Sequence, residues 1–398
     1  MRRKIIHILK LILRFFYYYL GNYRKVQDIE LTRQYKNVFS GYTNLKFCGG
    51  GSNVVLYATD TDFRTWPPYG YIDIHLLDTH SGKTRKVGRS TAWNWQLGSH
   101  AHFFDNGFMV YNVHVGRLLS IDIFDMAHFK RVKYRDNFQG LALLAASPTT
   151  DMLVRGSITH INKLRPDYGY FPGSETSDEI AFLIHNRNGD IITSISFHEL
   201  EQYIGIKYEE RKVNHFNFSD DGKYLSFLYR GFQGDKRYCS LLRMCLNSLR
   251  FEILVKHSFV SHYEYFRDGI LIYGQISNIK GIYFVTQNNL TLIEKTNIDY
   301  HFCVISDNLI CLDSYPNRYS KSQIRLVHLN DRLYIKNISN FNFFGNALYR
   351  GAVRVDHHVK YIRSTDTLIF DFDNQSYRTI QTMRLNDQVF ANLKAEKS

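Results

Sequence analysis

Five histidines recur in this chain at one position of a repeated pattern. In four copies an Asp or Asn follows the histidine after five residues, next comes Gly or Asn, and then a short apolar run. A fifth, degraded copy turns at Ser-Thr-Asp instead. The histidines of the five copies are His100, His215, His262, His301 and His358. Imidazoles are neutral metal ligands, or acid–base groups near neutral pH, so the repeat predicts functional side chains at one place in every copy.

The same repeat predicts the fold. Asp/Asn-Gly between β-prone runs is a strong hairpin signal because these residues tolerate the positive φ of tight turns, and 218–223 is the clearest copy. Hairpins spaced roughly 40 to 60 residues apart are typical of a β-propeller. We therefore predict an all-β protein, a seven-bladed β-propeller. The predicted blades begin near Cys48, Trp95, Ala145, His215, His262, His301 and His358.

In a propeller the first strand of each blade lines the central channel, so the five histidines are expected to converge at one mouth. By the two-residue alternation of strands, His102 and His357 should point away from the channel. The alternative is that the repeated histidines only form hydrogen bonds between neighbouring blades.

The first residues have a different pattern. Arg3, His7, Lys10 and Arg14 recur at helical spacing, and Ile5, Leu9, Ile12 and Phe16 occupy the opposite face. We predict a basic amphipathic helix at 1–21, a connecting segment at 22–42 and the propeller at 43–398. Arg3, Lys10, Arg14 and Phe16 suit a membrane interface, while packing against the propeller rim is the alternative. No stretch reaches the ~20 apolar residues of a membrane span, and the basic residues interrupt any signal-peptide core.

Composition limits the partners. The net charge is +13 and the pI about 9.3, which favours a polyanionic partner: an acidic polysaccharide, an anionic membrane surface or nucleic acid. Nucleic acid ranks lowest because no Lys/Arg block carries interleaved aromatics. The five cysteines lack metal-site spacing, and three lie in strand-like runs. Reduced, buried thiols are the expectation, and they indicate a cytoplasmic protein. The N-terminal helix adds peripheral attachment to the inner face of the membrane as an alternative.

A second cluster suits sugar binding. Trp93 and Trp95 flank an Asn and precede Gln96, and aromatic faces stack on sugar rings while amides bond hydroxyls. Tryptophans in blade cores are the alternative. Arginine is the bidentate partner of carboxylates, and several arginines lie near strand starts or loops. Those included as candidates are Arg165, Arg230 and Arg354.

Several segments resemble a family of propeller proteins encoded in bacterial surface-polysaccharide gene clusters, oligogalacturonate-lyase-like or TolB-like. These segments are 93–96, 164–170, 215–222, 261–265, 313–316 and 354–358. The resemblance implies a seven-bladed propeller whose funnel binds a divalent, Mn-type metal through histidines and a glutamine, and in which a histidine and an arginine act on a uronate.

Carried over residue by residue, the resemblance implies metal ligation by His262, His301, His358 and Gln96. It implies catalysis by His215 and Arg230. We expect Trp93, Trp95, His100, Arg354 and Arg165 to contact the substrate. The chain departs from the family pattern where Val359 and Phe302 replace the prolines usual after two of the histidines.

The predicted function is binding or processing of an acidic bacterial surface polysaccharide, or its precursor, in capsule or lipopolysaccharide assembly. One alternative is a metal-assisted uronate lyase acting by β-elimination, and another is a non-catalytic protein-interaction scaffold. The sequence has no phosphate loop, no nucleophile elbow and no His-Glu-x-x-His motif. Few carboxylates lie near the predicted funnel, so a two-carboxylate glycosidase is not supported.

Overall fold

The computed structural model describes residues 30–42, 52–62, 64–105, 107–170, 179–317, 321–344, 351–373 and 377–385. The helix predicted at 1–21, with Arg3, Lys10, Arg14 and Phe16, lies outside these residues, as does Cys48. No helix in the described part of the chain is long and apolar enough to cross a membrane.

The first part of the chain forms three antiparallel sheets of four strands. The first contains β1 (Asn37–Phe39), β2 (Asn53–Thr59), β3 (Ile72–Asp78) and β4 (Thr84–Ser90). The second contains β5 (His102–Phe104), β6 (Phe108–Val115), β7 (Leu118–Asp125) and β8 (Lys130–Val132). The third contains β9 (Ala142–Ala146), β10 (Leu153–Gly156), β11 (Ile180–His185) and β12 (Ile191–Ser196). Residues 37–39, which we expected in the connecting segment, thus form the first strand of a sheet.

A seven-stranded sheet follows, and one long strand divides it. Its strands are β13 (Glu210–Phe218), β14 (Tyr224–Gln233), β15 (Lys236–Cys245), β16 (Arg250–Phe266), β17 (Gly269–Ile276), β18 (Ile279–Val285) and β19 (Leu290–Lys295). The first half of β16 pairs with β15 and its second half with β17. Two four-stranded units therefore share this strand.

The last two sheets have four and three strands. They contain β20 (Tyr300–Ser306), β21 (Leu309–Ser314), β22 (Lys321–Leu329) and β23 (Ile335–Phe344), then β24 (Lys360–Ile362), β25 (Thr367–Asp373) and β26 (Arg378–Arg384). The described residues thus form seven consecutive antiparallel units in six sheets.

Helical elements are short. They are α1 (Thr159–Leu164), α2 (Phe197–Ile204) and 3-10 helices at Glu30–Arg33, Pro166–Tyr168, Gly351–Val353 and Arg363–Thr365. Helix α2 has a capping box, because the Ser196 hydroxyl accepts from Glu199 N and the Glu199 carboxylate accepts from Ser196 N.

The hairpin prediction is confirmed in the later units. Asp221-Gly222 lies in the turn between β13 and β14, and Asp307-Asn308 joins β20 to β21. Each apolar run after a turn is the second strand of its unit and is mostly buried, as in β21. Turn chemistry therefore sets the register of each first hairpin.

The first and last sheets pack against each other. Val38 and Val54 share one buried cluster with Ile369 and Ile380. The Arg378 backbone N–H donates to Asn37 Oδ1 at 2.8 Å. The beginning and the end of the described chain are therefore adjacent.

Candidate functional site

The five repeated histidines lie at or just before the first strands of their units. His215, His262 and His301 are on β13, β16 and β20, while His100 and His358 stand two residues before β5 and β24. Three have left-handed backbone: φ is 53° at His100, 54° at His215 and 45° at His358. That conformation is uncommon for a residue with a Cβ, and such strain, about 1–3 kcal/mol each, concentrates at functional sites.

The histidine rings converge. Ring centroids lie 5.4 Å apart for His215 and His262, 4.1 Å for His262 and His301, and 5.3 Å for His301 and His358. A cavity of about 1040 Å³ meets this group and also reaches His100. Its lining includes His100, His102, His215, His301 and His358. The convergence predicted from the repeat is therefore present.

The expectation for the companion histidines is right for one and wrong for the other. His357 contacts Phe343 and Phe370, away from the cavity. His102, in contrast, lines the cavity, and its ring centroid is 4.4 Å from that of His100. Side chains two residues apart point to the same face of a strand, so alternation itself places His102 with His100.

Tyr42 sits among the histidines, and the sequence pattern did not identify it. Its ring centroid is 5.7 Å from those of His215 and His301 and 5.5 Å from that of His358. Burial raises the pKa of its hydroxyl, so Tyr42 is neutral. It lies in the stretch we assigned to the connecting segment, which carries no motif.

The segment before Tyr42 is anchored to the last sheet. Asp371 accepts hydrogen bonds from Ser40 N at 2.6 Å and Gly41 N at 2.9 Å, and the Lys360 ammonium donates to the Ser40 hydroxyl at 2.7 Å. Gly41 has φ +60°, and a Cβ there would lie 3.0 Å from the carbonyl oxygen of Gln96. Only glycine fits this close approach without strain.

Two of the histidines are oriented by carboxylates. His301 Nδ1 lies 2.7 Å from Asp313 Oδ1, and His262 Nδ1 lies 3.1 Å from Asp299 Oδ1. Burial opposes protonation of His301, but attraction to Asp313 outweighs it and raises the His301 pKa. His358 Nδ1 is 3.6 Å from Asp371 Oδ2, too long for a hydrogen bond.

His262 belongs to a hydrogen-bonded chain of three side chains. The Tyr315 hydroxyl lies 3.0 Å from His262 Nε2, and Asp299 lies on the opposite side of the ring. Burial and then repulsion from His301 lower the His262 pKa to about 4, so the imidazole is neutral at pH 7. With its Nδ1–H donating to Asp299, Nε2 has a lone pair and accepts a hydrogen bond from the Tyr315 hydroxyl. Such a chain is able to move a proton.

The expected metal ligands do not fit one ion in this arrangement. The Nε2 atoms of His301 and His358 have no hydrogen-bond partner among the described residues, but His262 Nε2 is engaged by Tyr315. Gln96 donates its Nε2–H to the carbonyl oxygen of Arg354, while its Oε1, the atom that would bind a metal, has no hydrogen-bond partner among the described residues. Among the residues described, no three His, Cys, Asp or Glu side chains are placed to hold a metal.

Two expected substrate arginines are fully engaged by carboxylates. Arg165 forms a bidentate pair with Asp167, at 2.9 and 2.7 Å. Arg354 bonds Asp167 at 3.0 Å and Asp356 at 2.9 Å, and its guanidinium lies 5.1 Å from the Tyr315 ring centroid. This neutralised cluster borders the Tyr315–His262 chain.

Arg230 is different, and so is a lysine that the sequence did not single out. Lys212 stands directly opposite Arg230 in the β13–β14 pairing, and both are buried. Neither Lys212 Nζ nor Arg230 Nε has a hydrogen-bond partner in the described part of the chain. Burial, and then repulsion by Arg230, lowers the Lys212 pKa to about 5. No motif marks Lys212, because only strand register places it beside Arg230.

The tryptophans lie in the core, in contrast to the expected sugar platform. Trp93 and Trp95 are 2% and 0% exposed, and their ring centroids are 4.9 Å apart. Their indole N–H groups donate to the carbonyl oxygens of Gly70 and Thr65. Stacking on a sugar needs an open ring face, and burial removes it.

No protein-family model matches this sequence, and no curated protein matches it. Solved structures do match in fold. An oligogalacturonate lyase in complex with manganese superposes with a TM-score of 0.59 at 11% identity, over 89% of this chain and 92% of that one. An oligogalacturonate lyase from Vibrio parahaemolyticus gives 0.57 at 11% identity, over 89% and 91%.

A third similar structure is the β-propeller domain of the Trilobed protease from Pyrococcus furiosus, with a TM-score of 0.50 at 11% identity, over 87% of this chain and 95% of that one. This chain has a propeller-type, all-β fold. The resemblance to oligogalacturonate lyase stated from the sequence is confirmed at the level of fold. TolB from Acinetobacter baumannii superposes with a TM-score of only 0.39.

Proposed function

We propose that this protein is a closed seven-bladed propeller that binds an acidic saccharide in its central cavity. The observation that carries the proposal is the convergence of histidines from separate units around Tyr42 in one cavity of about 1040 Å³. A cavity of this size accommodates several sugar rings. Oligogalacturonate lyases have a similar fold at 11% identity.

Charge supports an acidic ligand. Lys212 and Arg230 are buried beside the histidine group and lack a counter-ion among the described residues. A buried cation without a partner is costly unless an anion neutralises it. The net charge of +13 also attracts anions over a longer range.

A uronate lyase is the second candidate, because the Asp299–His262–Tyr315 chain supplies a neutral acceptor next to a hydroxyl donor. In β-elimination a base removes the C5 proton, the electron pair forms the C4–C5 double bond, and the C4–O bond breaks. The departing sugar oxygen takes up a proton. His262 with Tyr315 would move these protons, and Arg230 would neutralise the carboxylate. His215, expected to be catalytic, lies beside His262.

A metal ion is not required for the proposed reaction, although part of the expected ligand set is present. A divalent ion would polarise the uronate carboxylate, and the Nε2 atoms of His301 and His358, which have no hydrogen-bond partner among the described residues, would hold it. Tyr315 occupies the third nitrogen, His262 Nε2, so we assign the elimination to protein side chains alone. Gln96 Oε1 likewise has no partner in the described part of the chain, although Gln96 Nε2 is bound to the Arg354 carbonyl.

The cellular setting rests on the sequence. We propose a cytoplasmic protein that acts in capsule or lipopolysaccharide assembly and that docks on the inner membrane surface through residues 1–21. A non-catalytic scaffold of the same assembly machinery is the remaining alternative. Nucleic acid is not part of the proposal.

Calorimetric titration with a galacturonate oligomer and with a neutral glucose oligomer of equal length tests the proposal. We expect binding of the acidic oligomer only, and Arg230→Met should weaken it at least tenfold. Lys133→Met, at an exposed site, is the matched control. Equal affinity for both oligomers, or none for either, would overturn the proposal.

Lyase activity has its own readout. Elimination creates an unsaturated uronate that absorbs in the ultraviolet, and Tyr315→Phe should reduce its rate of formation at least 100-fold while leaving binding nearly unchanged. If the acidic oligomer binds but no absorbing product forms, the lyase alternative is wrong and the protein only binds the saccharide.

A further inference from the structure

Two like charges face each other across neighbouring strands. Lys212 on β13 and Arg230 on β14 are direct register partners. The Cβ atoms of such partners lie about 4.5–5.5 Å apart, and like charges in this position are destabilising. Sheet packing alone gives no reason for this pair, so another stabilising interaction is needed.

Burial makes the conflict stronger. Lys212 is 3% exposed and Arg230 is 2% exposed. The Arg230 Nη2 donates to the carbonyl oxygen of Ser261, but Arg230 Nε and Lys212 Nζ have no partner in the described residues. Lys212 Nζ and Arg230 Nε are therefore two unsatisfied donors of basic side chains that lie opposite each other in the sheet and in one buried region.

The charged groups around Lys212 show how much negative charge the site lacks. The groups that act electrostatically on Lys212 are Arg165, Arg230 and Arg237, opposed by Asp167. Arg354 shares Asp167 with Arg165, and Asp299 acts on Arg237. The cations are Lys212, Arg165, Arg230, Arg237 and Arg354, and the carboxylates are Asp167, Asp299 and Asp356. Five cations less three carboxylates leaves two positive charges when Lys212 is protonated.

We propose that Lys212 and Arg230 form a binding site for a compact doubly charged oxyanion, such as a phosphate or sulfate substituent on a sugar. When binding protonates Lys212, a single carboxylate leaves one of the two positive charges uncompensated, and a dianion compensates both. A tetrahedral oxyanion accepts hydrogen bonds from both donors within one small volume. Arg165 and Arg237, which act electrostatically on Lys212, are partly exposed. This inference rests on the proposed function and deepens it, because it assigns to the saccharide a phosphate or sulfate group besides its carboxylates.

Sulfate is the probe, because it keeps its double charge from pH 5 to 9 and any pH dependence then comes from the protein. Titrations of the full chain with sulfate and with acetate, at constant ionic strength, should show binding of sulfate only. Lys212→Met should weaken sulfate binding at least tenfold, and Arg230→Met should do the same. The control Lys133→Met should bind as the unmodified protein does.

The pH dependence separates a direct contact from a structural effect. Because Lys212 is neutral in the empty site at pH 7, binding of a dianion draws a proton onto its amine. The affinity for sulfate should rise about tenfold per pH unit between pH 8 and 6. The other ionisable groups facing Lys212 are Arg165, Arg230, Arg237, Asp167 and His215, and burial holds the His215 pKa far below this range. Lys212→Met should remove the slope.

Each outcome has a distinct meaning. Sulfate binding no stronger than acetate binding overturns the inference, and so does sulfate binding that Lys212→Met leaves unchanged. If the galacturonate oligomer binds and sulfate neither binds nor competes, the inference fails and the proposed function stands. If sulfate binds with the expected slope and no acidic saccharide does, the proposed function fails and the anion site stands. Circular dichroism of Lys212→Met confirms folding.

Discussion

His301 and His100 face the same cavity but have opposite electrostatic surroundings. His301 Nδ1 lies 2.7 Å from the buried carboxylate of Asp313, and its pKa is raised. His100 Nδ1 lies 3.2 Å from the carbonyl oxygen of Leu143, and burial lowers its pKa to about 4. The repeat gives both histidines the same offset from their turns, and the neighbouring group sets the direction in which each pKa moves.

The other repeated histidines also differ in their surroundings. His262 has Asp299 on one nitrogen and Tyr315 on the other, while His358 has no hydrogen bond to either ring nitrogen among the described residues. Histidines at equivalent positions of the repeat therefore differ in their hydrogen bonds and need not share a function. Carboxylates orient His262 and His301, whereas a carbonyl oxygen orients His100, and an oriented imidazole is what acid–base chemistry requires.

The largest expected effect comes from removing the carboxylate beside His301. Asp313→Ala leaves a buried imidazole without its counter-ion and also removes the acceptor of Val359 N–H. We expect a loss of about 3–5 kcal/mol in the free energy of unfolding, measured by urea denaturation.

Asp125 offers a matched control, because it forms the same kind of pair with His128 at 2.8 Å on the surface. Asp125→Ala should lower the free energy of unfolding by no more than about 1 kcal/mol, because solvent screens this pair and the variant otherwise loses the hydrogen bond from His128 N. Similar losses in the two variants would show that burial does not distinguish them.

A smaller effect is expected on Mn²⁺ affinity, which depends on His262 Nε2, the third nitrogen of the expected metal site. Tyr315→Phe frees His262 Nε2 from its hydrogen bond. If His262, His301 and His358 are able to share an ion, Mn²⁺ affinity should rise roughly five- to tenfold, the value of a ~1 kcal/mol hydrogen bond. Adding His301→Ala should abolish that gain. If Tyr315→Phe leaves the Mn²⁺ affinity unchanged, His262, His301 and His358 do not share an ion.

The smallest effect is the pH dependence of stability. The raised pKa of His301 contributes stability that is complete below its ordinary value of about 6.5 and disappears as pH rises through the folded-state pKa. The lowered pKa of His100 acts oppositely: stability is lost as pH falls from about 6.5 towards 4.

Asparagine substitutions at the two sites measure these contributions, because Asn also tolerates the left-handed backbone of His100. The stability difference between the unmodified protein and His301→Asn should decrease with rising pH. The difference for His100→Asn should increase between pH 4 and 6.5. Slopes of the same sign would contradict the assigned surroundings.

The sequence by itself determined the features that depend on neighbours along the chain. Turn residues such as Asp221-Gly222 and Asp307-Asn308 specify hairpins locally, and their repetition predicted the all-β, propeller-type fold. The fixed offset of the histidines from these turns predicted their convergence. Residue types also singled out Arg230 as a candidate, although not what surrounds it.

Tertiary structure decided everything that depends on partners distant in sequence. Asp299 reaches His262 across 37 residues, and the segment before Tyr42 is held by Asp371, more than 300 residues away. Lys212 meets Arg230 because of strand register, and Trp93 is buried because neighbouring segments cover it. The physical reason is that protonation, metal competence and anion affinity depend on short-range contacts and burial, and only the folded chain brings those atoms together.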